Sequence, residues 1–245
     1  MPREILLRLW QSCKIIRVTV NHQPALPYGR LITLEGIEGA GKTTQRDVIC
    51  ETLIEQRVPF LKTREPGGSD IAERMRALLL DQANQGMSAT AELLLMFAAR
   101  AEHLHKTILP ALSSGTWVIC DRFTDASYAY QGGGRGIDAQ HIRHLENWVQ
   151  DGLRPHLTLL FDLPPTVGLA RAQRRATAAT GHPDRFELET VAFFERVRSV
   201  YLTLAEQDQA RFRVIDATQP QAAVTAQVQT IIISQVNELR QGSWA

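Results

Sequence analysis

Residues 31–56 constrain this chain more than any other stretch. The short apolar run L-I-T-L leads into E-G-I-E-G-A-G-K-T-T, and helical periodicity through Val48, Ile49 and Leu53 continues from Lys42 to about Gln56. Gly36-x-x-x-x-Gly41-Lys42-Thr43 is a phosphate-loop pattern, and its required context is present, a strand before it and a helix after. Glycines let the backbone N–H groups of such a loop turn inward on phosphate, and the helix behind it adds its positive N-terminal end. The triphosphate-binding candidates are therefore Gly36, Ile37, Glu38, Gly39, Ala40, Gly41, Lys42, Thr43 and Thr44. Within them Lys42 reaches the β and γ oxygens and Thr43 offers its hydroxyl to magnesium. Two acids complicate the cradle. Like charges repel, so Glu38 needs a task other than touching phosphate, whereas Glu35 reads as a bystander at the strand end.

The alternation of strand and helix continues along the chain. P-F-L-K-T is a second strand, ending at R-E-P-G-G-S, and Ser88 can cap a helix carrying Leu93, Leu94, Met96, Phe97 and Leu104. T-W-V-I-C follows the Ser114-Gly115 stop and ends at Asp121. Asp138 can cap a helix with Ile142, Leu145, Trp148 and Val149, and L-T-L-L-F-D and R-F-R-V-I-D complete five strands. Strands this short and apolar, separated by helices, predict an α/β fold of three layers, with a five-stranded parallel sheet covered on both faces. Ligands then bind at the carboxyl ends of the strands, where the glycine loop, R-E-P-G-G, Asp121-Arg122 and Asp216 all fall.

Charge excludes some partners. The 27 basic and 26 acidic residues nearly cancel, which argues against a chain that coats nucleic acid or membrane. Three cysteines without a C-x-x-C pair suggest neither a zinc site nor a disulfide framework, and a reduced, cytoplasmic setting is expected. No stretch approaches the roughly 18 apolar residues of a membrane span. Residues 1–29 are apolar but broken by Arg3, Glu4, Arg8, Lys14 and Arg17, which does not suit a secretory leader. They are expected to be a poorly ordered extension before a domain over 30–245, with an organelle transit peptide as the weaker alternative.

Phosphate loops serve many reactions, so the loop alone names none. A GTPase's N-K-x-D motif is missing, and the third strand ends in Asp121-Arg122. Arg64 ends the preceding strand. Two guanidinium groups at strand ends facing the cradle can clamp a monophosphate, which points to phosphoryl transfer onto a nucleotide; singly, each also suits a surface salt bridge. Phe97 and Arg100 lie three residues apart and so share a helical face. There an aromatic ring can stack on a base while the arginine, which only donates, meets a carbonyl such as thymine O4 or guanine O6. Core packing is the other reading of Phe97.

Five motifs in this order, T-L-E-G-I-E-G-A-G-K-T-T, T-R-E-P-G-G-S, L-L-M-F-A-A-R, D-R-F and A-Y-Q-G-G-G-R-G, resemble the bacterial thymidylate kinase family over about residues 31–240. The resemblance implies transfer of the γ-phosphoryl of ATP to dTMP, with magnesium, in a homodimer. It implies that Glu38 bonds the deoxyribose 3′-hydroxyl, that Arg64 and Arg122 hold the acceptor phosphate, and that Pro66 packs beside the base. Phe97 would stack on thymine, Arg100 would bond O4, and Ser127 would meet the N3 side. Tyr130 would crowd the 2′ position with Gln131 nearby, core packing being the alternative for Tyr130, and Asp121 would organise magnesium beside Thr43. The loop Asp216–Pro220 would border adenine through its backbone. The phosphate loop carries no arginine, so a lid over about 168–187 must supply the catalytic charge on closing. Arg171, Arg174, Arg175 and Arg185 are spread along it; Arg175 is the first choice and Arg171 the second, and Gly181-His182-Pro183 marks a turn. The competing functions are a deoxynucleoside kinase and a non-catalytic nucleotide-binding regulator on the same fold.

Overall fold

The computed structural model describes residues 29–178 and 184–241, with 175–178 by backbone only. The extension expected over 1–29, Gly29 apart, and the Gly181-His182-Pro183 turn lie outside the described residues. Strands β1 (Leu31–Glu35), β2 (Phe60–Arg64), β3 (Trp117–Asp121), β4 (Leu157–Asp162) and β5 (Phe212–Asp216) fall where the apolar runs predict them. They form one parallel sheet in the order β2-β3-β1-β4-β5. Helices α1 (Lys42–Glu55), α2 (Asp70–Leu80), α3 (Ala89–His103), α4 (Leu109–Ser113), α5 (Thr124–Ser127), α6 (Ala139–Gln150), α7 (Pro165–Ala178), α8 (Val191–Gln207) and α9 (Gln221–Arg240) surround it. No helix among the described residues is long and apolar enough to cross a membrane.

Alternation explains the layering. Ile32 and Leu34 of β1 join a cluster with Ile49, Leu53, Val228 and Ile232, while Leu31 joins another with Val118, Cys120, Leu104 and Ile108. Successive strand residues point to opposite faces, so each face of the sheet takes its own helices. Each fully buried side chain of this kind contributes roughly 1.5–3 kcal/mol. Polar side chains on the sheet are matched rather than excluded. The Thr33 and Thr158 hydroxyls lie 2.9 Å apart, and Arg211 donates to Thr158 at 2.8 Å and to Asp125 at 2.6 and 3.0 Å.

Both expected caps form. The Ser88 hydroxyl accepts from the Ala91 N–H at 3.3 Å, and the Asp138 carboxylate accepts from the Gln140 N–H at 2.8 Å. Two π-helical segments, Leu104–Ile108 and Tyr128–Gly134, have no counterpart in the sequence pattern. The second of them carries Tyr130 and Gln131 to the carboxyl end of the sheet.

Candidate active site

The phosphate loop rests on α7. A Cβ on Gly39 would lie 2.0 Å from the Gly168 carbonyl oxygen, and one on Gly168 would lie 2.5 Å from the Glu38 carbonyl oxygen. Gly39 also takes φ of +72°, so close approach and backbone conformation both call for glycine there. Lys42 is folded back on the loop, its ammonium donating to the Gly36 and Ile37 carbonyls at 2.9 and 2.8 Å. Burial, with the Arg122 cation adding to it, pulls its pKa down to about 8. Thr43 and Thr44 stand exposed at the first turn of α1.

Beside the loop lies a cleft of about 730 Å³ at the carboxyl ends of β2 and β3. Arg64 and Arg122 line it, as expected, and so does a third arginine, Arg76 of α2. Arg76 donates to the Pro66 carbonyl at 2.8 Å; burial lowers its pKa, and the neighbouring Arg64 charge lowers it further. A spaced arginine on a helix reads as a surface residue, so only the fold reveals it. Arg64 is half-exposed and donates to Glu73 at 2.9 Å. Three guanidinium groups on one cleft can hold an anion such as phosphate.

Arg122 ties the cleft to the phosphate loop. Its Nη2 donates to the Glu38 carboxylate at 2.7 Å, while Nη1 donates to the Gly36 carbonyl at 3.0 Å. The guanidinium lies 4.7 Å from the centre of the Tyr130 ring, and the Tyr130 hydroxyl donates to Glu38 at 2.7 Å. Tyr130 is packed as the core reading expects, and it also lines the cleft. Its ring sits edge-on among Phe186, Phe193, Phe194 and Tyr201, and its hydroxyl faces the cleft.

Glu35 is not the bystander expected of it. Fully buried, it accepts from the Phe123 N–H at 2.7 Å and from the Tyr201 hydroxyl at 2.7 Å; that hydroxyl in turn accepts from Arg122 at 3.3 Å. Burial and the nearby Asp125 charge push the Glu35 carboxyl up to about 8.

The deep wall of the cleft holds Arg100, Ser127, Gln131 and Pro66, the last joined to Glu65 by a cis peptide. Arg100 is buried. Its Nε donates to Glu65 at 2.7 Å and its Nη2 to Ser127 at 3.1 Å, leaving Nη1 without a hydrogen-bond partner. Gln131 donates to the buried Glu92 at 2.8 Å.

Phe97 requires correction. Its ring is only 2% exposed, packs with Leu93 and Ile142 and does not line the cleft; Met96 does. Residues three and four before Arg100 both share its side of a helix, and packing against α6 turns Phe97 away. Phe97 instead lies under Arg100, whose guanidinium carbon is 4.5 Å from the ring centre.

Asp121 stands at the cleft wall, partly exposed, with Arg46 at 3.8 Å. Among the described residues no three His, Cys, Asp or Glu side chains cluster as a metal cage. One carboxylate and the Thr43 hydroxyl fit the way magnesium is held when substrate phosphates complete its shell.

The expected lid divides in two. Arg185 is anchored, paired with Glu92 at 2.7 Å and donating to the Leu79 carbonyl at 2.9 Å, so it is not a free cation awaiting closure. Its neighbours Asp184 and Phe186 line the cleft. Arg171 of α7 donates to the Ala217 carbonyl at 2.9 Å, beside the loop that follows β5, and Arg174 is exposed. Arg175 belongs to α7, but its side chain lies outside the described residues.

Comparison with known proteins gives a consistent result. A family model described as thymidylate kinase matches residues 34–228. Thymidylate kinase of Pseudomonas savastanoi pv. phaseolicola is 56% identical over 214 residues, spanning 87% of this chain and 99% of the relative. That of Alkalilimnicola ehrlichii is 52% identical over 217 residues, spanning 89% and 98%. The crystal structure of thymidylate kinase from Ehrlichia chaffeensis superposes with a TM-score of 0.65 at 34% identity, covering 84% of this chain and 99% of that one.

Proposed function

This chain belongs to the thymidylate kinase family, and from that premise we propose that it transfers the γ-phosphoryl group of ATP to dTMP, giving dTDP and ADP. One observation carries the choice of acceptor: the buried Arg100 on the wall of a cleft whose other end is lined by Arg64, Arg76 and Arg122. A guanidinium has donors and no acceptor, so it suits a base that presents a carbonyl, while the arginine group suits a monophosphate.

The loop N–H groups and Lys42 hold the donor phosphates. Arg64, Arg76 and Arg122 orient the acceptor phosphate, and Glu38 takes the sugar 3′-hydroxyl while remaining paired with Arg122. Arg100 meets thymine O4, with Ser127 at the N3 side, Pro66 and Met96 against the ring, and Gln131 near the sugar. Tyr130 crowds the 2′ position and so favours deoxyribose. Asp121 and Thr43 hold magnesium, which when bound neutralises charge on the donor phosphates. Arg175, in preference to Arg171, brings positive charge to the transferring group; positioning and charge are most of what phosphoryl transfer needs.

A homodimer in the cytoplasm completes the reading. Trp148 and Leu94 project as exposed apolar side chains from the packed pair α6 and α3, and Cys50 and Cys120 are free and buried. Light scattering that returned a monomer mass would remove the dimer. The function itself is tested by offering thymidine and dTMP separately with ATP and magnesium. dTMP-dependent ADP release is expected; phosphorylation of thymidine but not dTMP would make the chain a nucleoside kinase.

A further inference from the structure

Behind the deep wall of the cleft runs a buried polar chain. Arg100 and His103 stand three residues apart near the end of α3, and Glu65, just beyond β2, bridges them. Glu65 accepts from Arg100 Nε through Oε2 at 2.7 Å, and its Oε1 lies 3.0 Å from His103 Nδ1. On its far side His103 Nε2 lies 2.7 Å from the Thr63 hydroxyl. His103 and Arg100 are 0% and 3% exposed, and His103 does not line the cleft.

Burial opposes the Glu65 charge, but Arg100 and His103 together hold its carboxyl below the usual range, so it is ionised. An ionised carboxylate only accepts, so the hydrogen on His103 Nδ1 points at Glu65. The imidazole is also fixed by shape. A Cβ on Gly68 would lie 2.2 Å from its Nε2, and the Gly68 carbonyl accepts from Thr107 at 2.8 Å. Strand end, loop and helix end therefore clamp one ring.

We propose that His103 is a positioning residue, which holds the Glu65 carboxylate so that Arg100 presents its donors to the acceptor base and discriminates among pyrimidine monophosphates. This rests on the reading that Arg100 meets that base. Buried hydrogen-bonded orienters of a recognition group set the geometry that the group itself delivers. Freed from Glu65, a flexible arginine can swing away from a carbonyl and tolerate an amino group in its place.

The test compares dTMP with dCMP, which carries an amino donor where thymine carries O4. In His103→Leu the KM for dTMP should rise about tenfold, equivalent to about 1.4 kcal/mol. The KM for ATP and the saturated kcat should stay within about twofold, and the dTMP-over-dCMP ratio of kcat/KM should fall by about the same tenfold. His103→Asn keeps an N–H near the Nδ1 position and should recover most of both. Arg100→Ala is the control: if it leaves the KM for dTMP unchanged, the base assignment itself fails. If Arg100→Ala raises that KM but His103→Leu does not, or if His103→Leu raises both KM values equally, the positioning role alone is overturned. Should His103→Leu fail to fold, Glu65→Gln removes the charge at constant shape; an unchanged KM and ratio there would overturn the proposal as surely.

Discussion

Arg122 and Glu38 form an ion pair of 2.7 Å that joins the end of β3 to the inside of the phosphate loop. Arg122 reaches it from a left-handed backbone, φ +68°, which a side-chain-bearing residue seldom adopts without compensation. The pair gives the acid inside an anion cradle a partner, so the loop carries no uncompensated repulsion at that point. It also places the Glu38 carboxylate where the phosphate loop meets the cleft.

The consequence for Glu38 concerns the sugar. If its carboxylate meets the 3′-hydroxyl, an analogue of dTMP lacking that hydroxyl should be used roughly 10–100-fold less well, the worth of a hydrogen bond to a charged group. Glu38→Gln keeps the shape and should shrink that preference about tenfold. Steady-state kcat/KM for both substrates in both proteins decides it, and a preference that Glu38→Gln leaves intact would remove the role.

The lid arginines should separate kinetically. Arg171 is tied to the Ala217 carbonyl, beside the loop after β5 that the family resemblance sets against adenine. Arg171→Ala is expected to raise the KM for ATP several-fold, about the worth of one hydrogen bond, with a small change in kcat. Arg175→Ala should lower kcat by about a thousandfold or more, as loss of a transition-state arginine does, and leave the KM for dTMP alone. A larger kcat loss in Arg171→Ala would exchange their roles.

Lys42 predicts a pH dependence of donor binding. Its pKa in the free protein is drawn down to about 8, first by burial and then by Arg122, against the opposing Asp121, Glu38 and Glu35 charges. Below that value Lys42 is a cation and attracts phosphate; above it the free protein must take up a proton to bind. Affinity for ATP should be level near pH 7 and weaken by up to about tenfold per unit above pH 8. Calorimetric titration in both ranges checks it, with Lys42→Arg expected to flatten the slope. A wild-type affinity that stays level to about pH 9 would contradict it.

The strands and the phosphate loop were legible because their signals are local: near-continuous apolar runs, glycines at set spacing, and caps such as Ser88 and Asp138. What escaped is what only packing decides. Helical spacing puts Met96 and Phe97 equally near Arg100, and it took the contact with Ile142 on α6 to turn one inward and leave the other on the cleft. Arg76 looked like any solvated helix arginine, and Arg185 like any lid arginine. Their partners, the Pro66 carbonyl and Glu92, are distant in sequence. Glu35 was missed for the same reason: nothing beside it in the chain announces Tyr201 or Asp125.

Glu35 makes the last prediction. Its carboxyl is raised from the ordinary 4.5 to about 8, with burial the larger cause and Asp125 the next. Between those values the folded protein keeps a proton that the unfolded chain releases, so folding binds protons there and stability falls as pH rises. The contribution is whole below about pH 4.5 and gone above about pH 8, and each unit between costs up to about 1.4 kcal/mol. Glu35→Gln mimics the protonated carboxyl and does not titrate. Urea unfolding at about pH 5 and about pH 8 should show a clear drop in the wild-type midpoint and a smaller drop in the variant, since every other titrating group is common to both. If the two proteins lose the same stability over that interval, Glu35 is already ionised at the lower pH, and the buried contact with Tyr201 is that of a carboxylate throughout.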